Sequence, residues 1–141
     1  MSIPPSEISF KNATDQAEAI SMGGRDGTLR SAERPDSWNF MDSGAKPNPE
    51  LLFAGAYAAC FHSAMISVAV ARGTPLTDSV VHARVGIVKD KTGAGSLVVE
   101  LRATLPGVGD PQGRELMEAA HKICPYSKAL RGEAVVALVV A

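Results

Sequence analysis

Aromatic residues make up only 5% of the chain, with a single tryptophan, so there are few platforms on which nucleic-acid bases could stack. Neither sign of charge is in excess. Fourteen Lys and Arg stand against 15 Asp and Glu, a net charge of -1, which leaves no basic footprint for a phosphate backbone or an anionic membrane. Cysteine is scarce too. Cys60 and Cys124 are too few for a disulfide scaffold, and no CxxC pair occurs. The stretch from Met1 to Phe10 has no basic run followed by an apolar one. No signal peptide is therefore expected, and a cytoplasmic, reducing location is.

What is present is an ordinary globular composition: 141 residues, 45% hydrophobic and 21% charged. That is one domain's worth of chain, expected to span residues 1–141 and to bury its own core. Residues 7–34 read as short strands with a turn. Ile8 and Phe10 alternate with polar neighbours, and Gly23-Gly24-Arg25-Asp26-Gly27 is a tight-turn cluster. Residues 35–48 read as a loop.

Asn48-Pro49-Glu50 is a helix start: a cap, a proline suited to the first turn, and an acid that complements the dipole. The helix is expected to run to about Arg72 and stop at Gly73. No charged residue lies between Leu51 and Ala71, which is long enough for a membrane span. Its many alanines, His62 and the lack of a flanking basic cluster point instead to a helix buried at the centre of a protein. One protomer of this size has little material to cover such a helix, so the pattern hints at a dimer.

A strand pair follows. Val81, Ala83, Val85 and Ile87 alternate with polar or small residues, as do Leu97, Val99, Leu101, Ala103 and Leu105. Lys91 to Gly95 supplies the turn. Asp110-Pro111 starts a second helix, with Asp110 as the cap, and Pro125 ends or kinks it just after Cys124. Ser127 to Arg131 offers one more turn, and Ala134 to Val140 a last strand. The order of elements is that of an α+β domain.

Cys60 sits mid-helix, where the bland reading is a small buried hydrophobe. A reactive thiol needs a lowered pKa, and the middle of a helix gives no dipole help. The cation would have to come from another segment, and Arg25 on its glycine turn is a candidate. Glu50 precedes Cys60 by ten residues, about 15 Å along a continuous helix and on another face. Any Arg–carboxylate pair that buttresses Cys60 would then draw Glu50 from a partner chain. His121 and Cys124 are three apart and could share a metal, whereas Cys60 and His62 are two apart, about 200° around the helix, and cannot face one ion. A histidine base beside Cys60 is a further alternative. The glycine turn is a poor phosphate loop, because no strand-then-helix pattern surrounds it.

Two longer stretches resemble a known family. Asn48-Pro49-Glu50-Leu51-Leu52-Phe53-Ala54-Gly55-Ala56-Tyr57-Ala58-Ala59-Cys60-Phe61 resembles the first cysteine motif of the organic hydroperoxide resistance (Ohr) proteins, in the OsmC/Ohr family. Ala119 to Ser127, with His121, Cys124, Pro125 and Tyr126, resembles the second. Gly23 to Gly27, Val85-Gly86-Ile87 and Leu105-Pro106-Gly107 also resemble family segments, in the same order. There are departures. Lys128-Ala129-Leu130 is closer to the OsmC branch, and Ser31 to Lys46, including Trp38, is shorter than the usual Ohr loop.

The resemblance implies an intertwined homodimer with curved antiparallel sheets around central helices, its active sites at the interface. It implies a peroxidatic Cys60 and a resolving Cys124, joined as a disulfide in the cycle, and Arg25 and Glu50 as the polar pair that keeps Cys60 reactive. The implied substrates are organic hydroperoxides, including those of fatty acids. No bound cofactor or metal is implied. The implied reductant is an external dithiol, the lipoyl group of a lipoylated protein. Phe53, Tyr57, Phe61 and Met65 are candidate apolar walls for substrate, against the plainer reading of core packing. Three rival functions remain at this point: an OsmC-branch peroxidase of different substrate preference, a non-catalytic dimeric module that binds a small molecule, and a zinc protein.

Overall fold

The structure is a computed structural model and describes residues 2–24, 27–33, 37–38, 49–132 and 134–141. Among these residues, seven strands form one mixed sheet in the order β1-β7-β6-β5-β2-β3-β4. The strands are β1 (Ser2–Ile3), β2 (Thr14–Met22), β3 (Thr28–Ser31), β4 (Ser37–Trp38), β5 (Val80–Lys89), β6 (Gly95–Thr104) and β7 (Val135–Val140). Three α-helices accompany them: α1 (Pro49–Ala71), α2 (Asp110–Ile123) and α3 (Pro125–Ala129).

The β5–β6 hairpin is the spine of the sheet, in continuous register from Val80↔Thr104 to Lys89↔Gly95. Its alternation works as expected: Val81, Ala83, Val85, Val99, Leu101 and Ala103 are all fully buried. Pairing is antiparallel from β6 through β4, but β7 runs parallel to β6 and β1 parallel to β7. A parallel neighbour requires a crossover connection, and α2 and α3 provide it. The expected antiparallel character thus covers one side of the sheet and not the other.

Helix α1 lies over β2, β3 and β5. Leu51, Ala54, Ala58, Phe61, Met65 and Ala69 recur at three- and four-residue spacing and face the sheet. Gly55 lets the helix approach closely, because a β-carbon there would stand 2.2 Å from Leu29 Cδ2. The helix ends as expected. Gly73 has φ +72°, and Thr74 N–H donates to the Ala69 carbonyl while Gly73 N–H donates to that of Val70, which closes a Schellman cap. The membrane-span length is met, but half of the apolar window is buried in the fold.

Three expectations shift. Ile8 and Phe10 do not form a strand: Pro5–Glu7 is a 3-10 turn, pairing resumes after β1 only at Thr14, and the Arg84 guanidinium lies 3.9 Å from the Phe10 ring centre. Gly109, not Asp110, caps α2, since its carbonyl accepts the first helical bond from Gly113. Asp110 then sits in the first turn, where its charge still complements the dipole. The 35–48 loop contains β4, which pairs with β3 at Leu29↔Trp38; Pro35, Asp36 and residues 39–48, the Asn48 cap included, lie outside the described residues.

Candidate active site

Pro125 creates the site. It cannot donate the next helical N–H, and its ring excludes the helical conformation for the residue before it. Cys124 accordingly leaves α2 with φ -61° and ψ 122°, while its own N–H still reaches the Ala120 carbonyl at 2.8 Å. Its carbonyl accepts the first bond of α3, from Lys128. This elbow turns Cys124 toward the middle of α1. Its Sγ lies 3.4 Å from Sγ of Cys60. The two are not joined by a disulfide, and Cys60 is half-buried while Cys124 is fully buried. About 1.4 Å of closure separates this pair from the length of an S–S bond.

A buried polar line crosses beside the thiols. The Tyr57 hydroxyl is 2.7 Å from Ser127 Oγ, which is 2.8 Å from His121 Nδ1. Tyr57 stands three residues before Cys60, His121 three before Cys124, and Ser127 three after it. Burial pushes the Tyr57 hydroxyl pKa well above its ordinary value, so it stays protonated. Burial also lowers the His121 pKa, which favours the neutral ring. Sequence reasoning assigned Ser127 no role and His121 only a weak one as a metal ligand. The signal was their symmetric three-residue spacing about Cys124.

Of the four candidate walls, Phe53 lines an apolar hollow of about 310 Å³ with Tyr126, Ala129 and Leu130. Tyr57 lies behind it, its ring edge-on to Phe53 at 6.0 Å and tilted against Tyr126 at 6.1 Å. Phe61 and Met65 are fully buried in the core and do not line this hollow. Tyr126, Ala129 and Leu130 are not among the walls expected from the sequence, although all three lie in or beside the second cysteine motif. Two of them belong to the stretch that departs from the Ohr pattern.

Glu50 is buried in the first turn of α1. That helix is continuous from Glu50 past Cys60, so the separation of about 15 Å stands within one chain. Arg25 lies outside the described residues. Its neighbour Gly24 has φ +69° and packs on α1, where a β-carbon would meet Ser63 Oγ at 2.9 Å, one turn beyond Cys60. Gly27 closes the turn so tightly that a β-carbon would overlap the Met22 carbonyl oxygen.

His62 is no base for Cys60. Its Nε2 is 2.9 Å from Ser79 Oγ and its Nδ1 3.4 Å from Ser21 Oγ, so both ring nitrogens are engaged away from the thiol. Among the described residues, no group of three or more His, Cys, Asp or Glu could hold a metal ion. Burial lowers the His62 pKa, as it does that of His121, from the ordinary 6.5. Below about pH 6.5 the unfolded chain binds protons at both positions that the folded chain refuses. Stability is then complete above pH 6.5 and is lost as pH falls through it. The urea midpoint is expected to be lower at pH 5.5 than at 7.5, and the drop smaller in His62→Gln. Equal midpoints would contradict this.

Two thiols in near contact, one reachable from solvent and one behind it, define a dithiol site in an α+β domain. Known proteins share this arrangement of chain. The model of the OsmC-like protein family matches residues 42–139, and the chain belongs to that family. It is 38% identical over 133 residues to the organic hydroperoxide resistance protein of Xanthomonas axonopodis pv. citri, covering 89% of this chain and 93% of that one. The solved structure of the organic hydroperoxide resistance protein OhrB of Bacillus subtilis superposes with a TM-score of 0.65 at 32% identity, covering 89% and 97%. A putative organic hydroperoxide resistance protein from Vibrio cholerae, solved with captopril bound in one of its active sites, gives 0.63 at 36%, covering 88% and 90%.

Proposed function

We propose that this protein is a cytoplasmic thiol peroxidase that reduces organic hydroperoxides to alcohols. The 3.4 Å approach of Cys124 to Cys60 carries this reading. Half-buried Cys60 is the attacking thiolate. It takes the distal peroxide oxygen, releases the alcohol and becomes a sulfenic acid. Buried Cys124 then condenses with it, forming the S–S bond and releasing water. An external dithiol, a lipoyl group on a protein, reopens the disulfide by exchange. Captopril is itself a thiol, and its place in an active site of the Vibrio relative suits a site that reacts with small thiols.

Arg25 favours the thiolate, and a carboxylate from Glu50 of the partner subunit holds its guanidinium by a two-point hydrogen bond. The packing of Gly24 at Ser63 supports the first part, because it brings the turn to the helix that bears Cys60. The distance from Glu50 to Cys60 along α1 supports the second. A homodimer would also cover the outward side of α1, where Leu52 and Val70 are 52% and 61% exposed, and the neighbouring Ile123, also 52% exposed. The hollow at Phe53, Tyr126 and Leu130 takes the organic part of the substrate.

Steady-state assay tests the reading. With dihydrolipoamide as reductant, cumene hydroperoxide is expected to turn over at least about tenfold faster than hydrogen peroxide, since a few buried carbons supply about 0.8 kcal/mol each. Failure to consume either peroxide would overturn the peroxidase reading in favour of a binding module.

A further inference from the structure

Pro125 leaves the place of Cys124 poorly fixed by the backbone. Its missing N–H breaks the hydrogen-bond ladder between α2 and α3. The backbone of Cys124 is held by two bonds, one to each helix: its N–H to the Ala120 carbonyl, and its carbonyl from the Lys128 N–H. Helix α3 has only five residues, too few to hold a direction of its own. Side chains must supply what the ladder does not.

The line from Tyr57 through Ser127 to His121 does so. The bond between Ser127 Oγ and His121 Nδ1, at 2.8 Å, spans the bend from α3 back to α2. The bond between Ser127 Oγ and the Tyr57 hydroxyl, at 2.7 Å, fastens the bend to α1. All three residues are buried, so neither bond is readily exchanged for one to water. Each stands three residues, about one helical turn, from a thiol: Tyr57 from Cys60, and His121 and Ser127 from Cys124. His121 Nε2 is buried with no partner among the described residues, which leaves the bond to Ser127 to set the ring. Neither bond touches a sulfur. Ser127 Oγ can accept from both neighbours, so the tie does not depend on where its own proton points.

We infer that Tyr57, Ser127 and His121 are positioning residues, a clamp across three helices that holds Cys124 Sγ within closing distance of Cys60 Sγ in the dithiol form. This rests on the dithiol part of the reading above, and not on which oxidant the thiols meet. With the bend already fixed and the sulfurs 3.4 Å apart, forming the disulfide orders little that was free. Without the clamp, the bend gains freedom in the dithiol form that the disulfide must take away. The dithiol form is then favoured, and the couple becomes easier to reduce. Exchange with glutathione disulfide reads this balance. Two protein thiols are oxidised to one disulfide, and one glutathione disulfide is reduced to two glutathione thiols, which carry off the two protons.

Equilibration in glutathione buffers of graded composition tests the inference, with the two forms counted by intact mass after acid quenching and alkylation. In Tyr57→Phe the equilibrium constant for oxidation is expected to fall about 3- to 10-fold, the net worth of one hydrogen bond. That is a rise in potential of about 14 to 30 mV. Ser127→Ala breaks both bonds and is expected to fall at least as far. Adding Tyr57→Phe to Ser127→Ala is expected to change nothing more, because Tyr57 has then already lost its partner. A purely structural line would instead lower the urea midpoints of the dithiol and disulfide forms alike and leave the potential where it was. Tyr57→Phe preserves the ring and decides the matter if Ser127→Ala does not fold. An unchanged potential in folded Tyr57→Phe, or a further fall in the double variant, overturns the inference. A wild-type protein that forms no Cys60–Cys124 disulfide in any buffer overturns the dithiol reading and the clamp with it. The expected shifts in a protein that consumes no hydroperoxide would support the clamp and overturn the peroxidase reading alone.

Discussion

Cys60→Ser is expected to lower hydroperoxide turnover by roughly 10⁴-fold or more, the scale of removing a covalent nucleophile. A serine hydroxyl is not appreciably ionised at neutral pH, and its oxygen cannot take up a peroxide oxygen as sulfur does. The fold is expected to survive. Cys60 is half-buried and packs at the edge of the core, and serine is close to it in volume. Steady-state consumption of cumene hydroperoxide reads the loss, and a urea titration shows that the variant is folded. Retained cycling in a folded Cys60→Ser protein would remove Cys60 from the chemistry.

Cys124→Ser should fail differently. Cys60 keeps its exposure to substrate, so one equivalent of hydroperoxide per chain is expected to be consumed. The sulfenic acid then has no thiol 3.4 Å away to condense with. With excess hydroperoxide it passes to the sulfinic acid, which ordinary thiols do not reverse. Intact mass is expected to show the gain of two oxygen atoms on Cys60 and no disulfide. Full cycling without overoxidation in this variant would mean that Cys124 does not resolve the intermediate.

The contrast between these variants follows from one local rule, the effect of Pro125 on Cys124, and that rule was legible in the sequence. So were α1, from its start at Pro49 to its stop at Gly73, and the β5–β6 hairpin, because capping and period-two burial are short-range signals. The parallel flank was not. Val135–Val140 is apolar on both faces, and nothing within it says whether β6 lies parallel or antiparallel beside it. The false strand at Ile8 and Phe10 arose because alternation over three residues outweighed the two prolines before it.

At the site, the cysteine pair could be read from the two motifs, but its surroundings could not. Tyr57 looked like one more aromatic on an apolar helix. Only the fold shows that its hydroxyl meets Ser127, 70 positions away. Phe61 and Met65 share the apolar character of Phe53, yet they sit fully buried in the core while Phe53 opens onto the hollow. With α1 apolar all round, periodicity alone could not tell the two sides apart.

The central claim is that Cys60 and Cys124 are a redox couple driven by an organic hydroperoxide. Intact mass, recorded under denaturing, non-reducing conditions after one equivalent of cumene hydroperoxide is added to reduced protein, tests it most directly. A loss of two hydrogens, reversed by dihydrolipoamide, is the result expected of a Cys60–Cys124 disulfide. An unchanged mass would show two thiols inert to the oxidant despite their contact, and would contradict the account.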